Sequence, residues 1–364
     1  MNSDVSRDSA AAGKIRVAIN GYGVIGRRVA DAVALQADME IAGVADIVSD
    51  YRIRRAQSKG FPIYAALDEM AGEMRAAGID VRGTLGYLLK EAEVVVDCTP
   101  KGVDAKNKPR YEVAGVKFIY QGGAKHELTG HSFVASANYE TAIGRDSTRV
   151  VSCNTTATVR TLNALRNAGL LKRARGVLIR RATDPWESHT SGIINTMLPE
   201  RKIPSHQGPD AKTVVPELDV VTMAVNAPET IGHLHFWTVD LEREAPREEV
   251  LEAFSRNSRI AFIRADEGVA ALNSTVELMK EINRPRNDMY EVAVWEDILT
   301  VEASEAFYAY QVDNQAIVIP ENVDAIRALA RARAQRAVVN RADERFARHQ
   351  AAIRVVQSVA SVKI

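Results

Sequence analysis

The stretch IRVAIN-GYGVIG-RRVADAVALQ, residues 15–36, constrains the fold more than any other part of the chain. A short, mostly apolar run, a glycine turn and a helix-forming run follow one another without a break. Gly21, Gly23 and Gly26 make G-x-G-x-x-G. The first glycine permits the tight turn, the second lets the backbone approach a pyrophosphate, and the third lets helix and strand pack closely. The phosphate then rests on free N–H groups at the helix start. The string alone is common; a strand before it and a helix after it give it meaning. MEIAGVAD follows as a second strand and ends on Asp46, 20 residues past Gly26. An acid at that place binds ribose hydroxyls. A carboxylate there repels the 2′-phosphate of NADP, so NAD is preferred, while Arg52, Arg54 and Arg55 nearby keep NADP possible.

Strands and helices keep alternating beyond Asp46. YRIRRAQSKG and LDEMAGEMRAAG read as helices around a strand in FPIYAA. TLGYLLKEA is a further helix, and EVVVDCTPKG and KFIYQGG are strands that run into loops. Such alternation predicts a mostly parallel sheet with helices on both faces, to about residue 150. The character then changes. ATVRTLNALRNAG is a helix, but ARGVLIRRAT, ELDVVTMAVNA and HLHFWTVDLE are longer and alternate in polarity. That pattern belongs to a half-buried, largely antiparallel sheet. WESHTSGIINTMLPERKIPSHQGPD fits no regular element, and long loops in compact domains are often functional. EEVLEAFSRN and TVELMKEINR read as helices. From Glu321 to about Val359 there is no proline, and one or two long Ala- and Arg-rich helices are expected. The fold class is a Rossmann-type, doubly wound, mostly parallel sheet plus an α+β domain with a largely antiparallel sheet.

Charge narrows the partners. Lys plus Arg and Asp plus Glu both number 47, a formal net charge of zero, which gives no sign of nucleic acid or an anionic membrane. No apolar run has the length of a membrane span. The opening MNSDVSRDSAAAGK lacks the apolar core of a secretory signal. Two distant cysteines make no disulfide framework. A reduced, cytoplasmic protein is expected.

The two cysteines have different settings. Cys98, in VVVDC, lies in a hydrophobic strand and reads as core. Cys153, in VVSCNTT, opens a helix, and Asn154, Thr155 and Thr156 are good capping types. A thiol at a helix N-terminus faces free N–H groups and the positive end of the dipole, which favour thiolate. The same N–H groups offer a pocket to an oxyanion. Packing is nonetheless the commoner fate of an intracellular cysteine, and a nucleophile needs a base. Of seven histidines, His233 and His235 in HLHFWTVDL share a strand face by period-two spacing. His206 sits in a Pro-Ser-His-Gln loop, and His126, His131, His189 and His349 have no comparable setting. The HxH pair could bind metal, but no nearby spacing completes a ligand set, so no metal is expected.

Together these motifs resemble the archaeal-type (type II), phosphorylating glyceraldehyde-3-phosphate dehydrogenase family. The matching stretches are AINGYGVIGRRVADAV, VVDCTPKGV, YQGGAKHE, VVSCNTTATVRTLNAL, VLIRRATDP, IPSHQGPD, VTMAVNAPET, HLHF and IVIPENVDAIRA, in family order over nearly all of residues 15–330. The resemblance implies reversible, NAD(P)-dependent oxidation of glyceraldehyde 3-phosphate, with inorganic phosphate, to 1,3-bisphosphoglycerate. The route runs through a thiohemiacetal and a thioester on Cys153, with His233 as base, in a homotetramer. Cofactor contacts fall on Gly21, Gly23, Val24, Ile25, Gly26, Asp46, Gly123, Arg181 and Asn314. Substrate or phosphate contacts fall on Ser152, Asn154, Thr155, Arg180, His206 and Gln207. Of Arg180 and Arg181, strand alternation turns one towards the site.

The implied division is a disordered lead-in over 1–13, a dinucleotide-binding domain over 14–152 completed by C-terminal helices in 315–364, and a catalytic domain over 153–314. Three departures from the family pattern stand out. A His-His pair is here His206-Gln207. Asp46 stands where many members carry lysine, which suits NAD. V-H-Q-E-S is here V-D-N-Q-A, residues 312–316, with Asn314 at the nicotinamide contact and Asp313 in place of histidine. The same chemistry on another phosphorylated aldehyde, such as erythrose 4-phosphate, is one alternative. A non-catalytic, dinucleotide-dependent sensor is another.

Overall fold

A computed structural model of the chain describes residues 13–184 and 197–330. The expected lead-in up to residue 12, residues 185–196 of the irregular segment, His189, His349 and the expected helices past residue 330 lie outside the described residues. The described chain divides into two compact units. Unit 1 holds the residues up to Gly130, Glu140–Val150 and those from Asn322 onward; unit 2 holds His131–Tyr139 and Val151–Glu321.

Unit 1 is built on β1 (Ile15–Asn20), β2 (Met39–Asp46), β3 (Ile63–Ala65), β4 (Val81–Thr84), β5 (Val94–Asp97) and β6 (Lys117–Tyr120), and on β8 (Ser147–Val150). They lie in the order β4-β3-β2-β1-β5-β6-β8 and pair in parallel. Strands buried on both faces read as continuous apolar runs, and every residue of β5 is buried. The connecting helices are α1 (Val24–Ala34), α2 (Tyr51–Ser58), α3 (Met70–Ala76), α4 (Leu85–Glu91) and α5 (Asp104–Ala114). Helix α1 buries Gly26, Val29, Ala30 and Val33, the i, i+3, i+4, i+7 stripe of an amphipathic helix. Because β1 has β2 on one side and β5 on the other, the strand order reverses there. The crevice beyond the carboxyl ends of β1 and β5 is therefore the switch point where open α/β sheets bind ligands.

Two elements of unit 1 are absent from the apolar pattern. Strand β4 is only four residues long. Helix α5 buries Asp104, Asn107 and Tyr111 and carries Pro109 inside it. Its inward face is polar and its interior holds a helix breaker.

Unit 2 contains β7 (Ser132–Phe133) and a mixed sheet of β9 (Leu171–Arg181), β10 (Leu198–Pro199), β11 (Val220–Ala227), β12 (His233–Leu241), β13 (Ile260–Ile263), β14 (Val292–Trp295), β15 (Thr300–Glu302) and β16 (Glu305–Val312). The order is β10-β11-β9-β12-β16-β14-β13, with β15 on β16. Pairing is antiparallel except for β11 with β9 and β13 with β14. The expected largely antiparallel sheet is thus present. The helices are α7 (Cys153–Asn167), α8 (Gln207–Lys212), α9 (Arg247–Ser255) and α10 (Leu272–Glu281). The chain passes from one unit to the other within α6 (Ala135–Ala142) and α11 (Ile319–Ala330). In α7 every residue from Asn154 to Leu165 is buried, as expected of a helix enclosed on all sides. The stretch read as wholly irregular contains β10 and α8 in its described part. Both are too short to carry a period. Among the described residues, no helix is long and apolar enough to cross a membrane.

Candidate active site

The glycine turn lies at the switch point of unit 1. Gly21 has φ +93°, the left-handed region that favours glycine. A Cβ there would come within 2.8 Å of the Cys98 carbonyl carbon and oxygen, and one on Gly26 would run into the Gly21 carbonyl oxygen. Gly23 has open space where a Cβ would stand. It is also the N-cap of α1, and no side chain caps that helix. The first turn, starting with Val24 and Ile25, therefore presents N–H groups towards an open side, as a pyrophosphate requires. Gly123 follows β6 and has only the Lys101 side chain near it, at 3.7 Å.

Asp46 does more than the sequence suggested. Its Oδ2 accepts the Tyr22 N–H at 2.6 Å and its Oδ1 the Ile47 N–H at 2.7 Å. The carboxylate thus ties the glycine turn to the end of β2, and lone pairs remain for ribose hydroxyls. The nearby arginines are engaged elsewhere. Arg52 pairs with Asp50, the N-cap of α2, at 2.6 Å. Arg54 donates to the Ala77 carbonyl and Arg55 to Ser58. Asp97, buried at the end of β5, accepts from Thr99, Asn107 and Tyr111. Cys98 lies just past β5, half-buried and not inside the strand, and burial followed by the Asp97 charge pushes its thiol well up.

The thiol of interest lies in unit 2. Ser152 is the N-cap of α7, and its Oγ accepts the Thr155 N–H at 3.3 Å. The Thr155 hydroxyl donates to Asp210 at 2.8 Å, which binds α8 to the cap. Ser152 and Thr155 are therefore committed to holding the helix start. Cys153 Sγ stands 3.2 Å from Nε2 of His233. The other ring nitrogen, Nδ1, accepts the backbone N–H of Arg181 at 3.1 Å. His233 and His235 both point to the buried side of β12, as period-two spacing requires. His235 Nε2 lies 2.7 Å from Oδ1 of Asn154, and its Nδ1 2.9 Å from the Tyr310 hydroxyl.

Burial dominates the electrostatics. It pushes the Cys153 thiol up to about 11, against the pull of the Arg181 guanidinium and the Asn154 N–H. The expected gain from the helix N-terminus is present but outweighed. Burial, then His235, Arg181 and Arg180, hold His233 well below the usual histidine range. Burial, then Arg180, brings His235 to about 3. Burial thus favours the uncharged form of both the thiol and the imidazole.

Around this pair the candidate anion ligands separate. The Arg181 guanidinium pairs with Asp184 at 3.0 Å. Asp184 also accepts from Asn314 at 2.9 Å and Gln315 at 3.2 Å. Arg180 donates to Asn226 at 2.8 Å and pairs with Glu200 at 3.3 Å. Glu200 in turn holds the exposed His206 at 3.1 Å. Gln207 does not share that setting: it is 0% exposed and accepts from Ser205 inside the unit. Asp313 caps the turn after β16, accepting from the Gln315 and Ala316 N–H groups. Sequence reading missed Asp184 and Glu200. They carry no motif, and only the folded sheet shows which cations they meet.

Fold and site define a class: an α/β protein with a dinucleotide-type parallel sheet in one unit and a thiol–imidazole pair on a mixed sheet in the other. The family model for the glyceraldehyde 3-phosphate dehydrogenase C-terminal domain matches residues 152–298. Glyceraldehyde-3-phosphate dehydrogenase of Methanobrevibacter smithii is 45% identical over 315 residues, 86% of this chain and 93% of that protein. The Methanococcoides burtonii protein of the same name is 46% identical over 87% of this chain and 93% of its own length. That of Methanothermus fervidus is 43% identical over 86% and 93%. The chain belongs to the archaeal-type glyceraldehyde-3-phosphate dehydrogenase family, whose members take a nicotinamide dinucleotide.

Proposed function

We propose that the chain catalyses the reversible, phosphorylating oxidation of glyceraldehyde 3-phosphate to 1,3-bisphosphoglycerate. The observation that carries this reading is Cys153 Sγ at 3.2 Å from His233 Nε2, at the capped start of α7. Unit 1 serves as the dinucleotide-binding domain and unit 2 as the catalytic domain. Cys153 adds to the aldehyde carbon to give a thiohemiacetal. A bound nicotinamide dinucleotide supplies the hydride acceptor. His233 serves the oxygen of the adduct, and the product of hydride loss is a thioester. Inorganic phosphate attacks the thioester carbon, and the thiol leaves with the phosphate proton.

Gly21, Gly23, Val24, Ile25, Gly26 and Gly123 line the dinucleotide side. Asn314 would meet the nicotinamide amide with its side-chain carbonyl, one of its two N–H groups already donating to Asp184. Of the two arginines, Arg181 is the one whose charge acts on the thiol. Arg180 and His206 meet phosphate by exchanging Glu200 for it, since carboxylate and phosphate compete for the same donors. Asp46, with Arg52 engaged by Asp50, supports NAD over NADP. Two cysteines far apart in the sequence, no disulfide framework, support a reduced, cytoplasmic setting, and exposed Val177, Met223 and Phe236 on the sheet of unit 2 support self-association as a homotetramer.

The deciding assay mixes the protein with NAD, glyceraldehyde 3-phosphate and phosphate, leaving out each in turn and following cofactor absorbance. Sustained turnover should need all three, and turnover that ignores phosphate would sink the phosphorylating reading. A second reading, another phosphorylated aldehyde, is favoured by the buried Gln207, which leaves His206 without a partner ring. A substrate panel including erythrose 4-phosphate separates the two.

A further inference from the structure

We propose that Asp50, and not Asp46 alone, sets the choice of NAD over NADP, by holding the Arg52 guanidinium back from a 2′-phosphate. The inference rests on the dinucleotide reading of unit 1 given above and adds a residue to it. A phosphate monoester carries a charge of about −1.5 to −2 near neutral pH, so a 2′-phosphate beside Asp46 needs a cation. Asp46 itself is spoken for in either case, because its two oxygens hold the Tyr22 and Ile47 N–H groups and with them the glycine turn. Discrimination therefore depends on which arginine can turn to the phosphate.

Arg52 is the candidate, and Asp50 occupies it. Asp50 caps α2 by accepting the Arg52 backbone N–H at 2.9 Å. The same carboxylate takes Arg52 Nε at 2.9 and 3.1 Å and Nη2 at 2.6 Å. The Nε–Nη2 edge of the guanidinium, one of its two edges for a bidentate anion, is thereby filled. Asp50 also cancels the charge that a phosphate would seek. The Asp50 hydrogen bonds, then the charges of Asp50 and Asp46, raise the Arg52 guanidinium above its usual range against burial, so Arg52 lies within the field of Asp46. The neighbouring cations are placed otherwise. Arg27 donates to the Gly23 carbonyl at 3.1 Å, in the turn that would meet the pyrophosphate of either cofactor. Arg110 donates to the Ala66 carbonyl at 3.3 Å, and the Ala66 N–H pairs with the Asp46 carbonyl. A 2′-phosphate would thus meet two carboxylates and one guanidinium that is already neutralised. Both members of the pair are half-buried, within reach of an incoming ligand.

The full-length variant Asp50→Asn tests this by titration calorimetry with NAD and with NADP, no aldehyde being present. Asparagine caps a helix as well as aspartate does, so α2 keeps its start while Arg52 is released. NADP should bind about tenfold more tightly than to the unmodified protein, the share of one charge-assisted contact, and NAD should stay within about twofold. Asp50→Ser, which also caps, should give the same gain and serves if the first variant does not fold. Adding Arg52→Gln to either variant should remove the gain. An Asp50 variant that folds and binds NADP no better overturns the proposal. So does a gain that survives Arg52→Gln, which would assign the phosphate to Arg27 or Arg110, and so does an unmodified protein that binds NADP as tightly as NAD. Failure of the underlying reading is a different result: an unmodified protein that binds neither dinucleotide.

Discussion

At Cys153 two forces oppose each other: burial disfavours a thiolate, and the Arg181 guanidinium and the Asn154 N–H favour it. With the thiol pushed up to about 11, the thiolate share near pH 7 is of the order of 10⁻⁴. Alkylation of the ligand-free protein by iodoacetamide should therefore speed up about tenfold per pH unit from pH 7 to 10. A rate that levels off below pH 8 would show a thiolate already formed. Asp46 anchors the glycine turn, and binding the ribose is its proposed second duty. Asp46→Ala should raise the KM for NAD and narrow the gap to NADP, and unchanged kinetics with both cofactors would remove Asp46 from the site. The glycines, Cys153 and the HLH face could be read from the chain because spacing alone defines them. Asp97, Asp184 and Glu200 could not, since no motif marks them and the fold alone adds partners such as Tyr111, Asn314 and Arg180. The family's His-His pair groups Gln207 with His206, but here Gln207 is buried while His206 is exposed.

Among elements, the start of α11 is held by a buried charge cluster. Glu321 is buried against Arg160 and Arg259 at 2.7 and 2.8 Å, and it also accepts the Ala135 N–H at 2.6 Å. Burial alone would raise its carboxyl, but Arg259, Arg160 and that N–H outweigh it and hold it below the usual range. Glu321→Gln removes the carboxylate that the two buried arginines share and should cost about 3–5 kcal/mol of stability in urea unfolding. A loss under 1 kcal/mol would mean the arginines find other partners. The strands and helices of the parallel sheet were legible because burial on both faces makes unbroken apolar runs. Helix α5 was not, because its inward face carries Asp104 and Asn107. Nor were β10 and α8, which are held by contacts beyond their own short lengths.

Over the whole molecule, acid should act in two stages. His233 and His235 have folded values below the ordinary 6.5, so between those values the unfolded chain binds more protons. Their contribution is fully present above about pH 6.5 and is lost as pH falls, at about 1.4 kcal/mol per pH unit for each ring. Glu321, also lowered, adds a second loss below its ordinary 4.5. The Tm should start to fall near pH 6.5, and a flat Tm down to pH 5 would deny the histidines this role. On the exposed face of the second sheet, Phe236 pairs across strands with Val177, both open to solvent. Phe236→Glu should shift the protein to smaller species in light scattering. The Cys153–His233 distance should not change, because alternate residues of β12 face opposite ways. An unchanged mass would remove this face from the proposed self-association.

The enclosure of α7 has a consequence for how this protein can vary. The helix that carries the Cys153 sulfur at its first residue is also a spine of unit 2, buried from Asn154 to Leu165. A saturation scan along it should report lost protein far more often than slowed turnover. Adaptation to a new aldehyde then has little room on the helix itself. The tolerant ground lies among partly exposed side chains such as Glu200 and His206, where exchange leaves the spine intact.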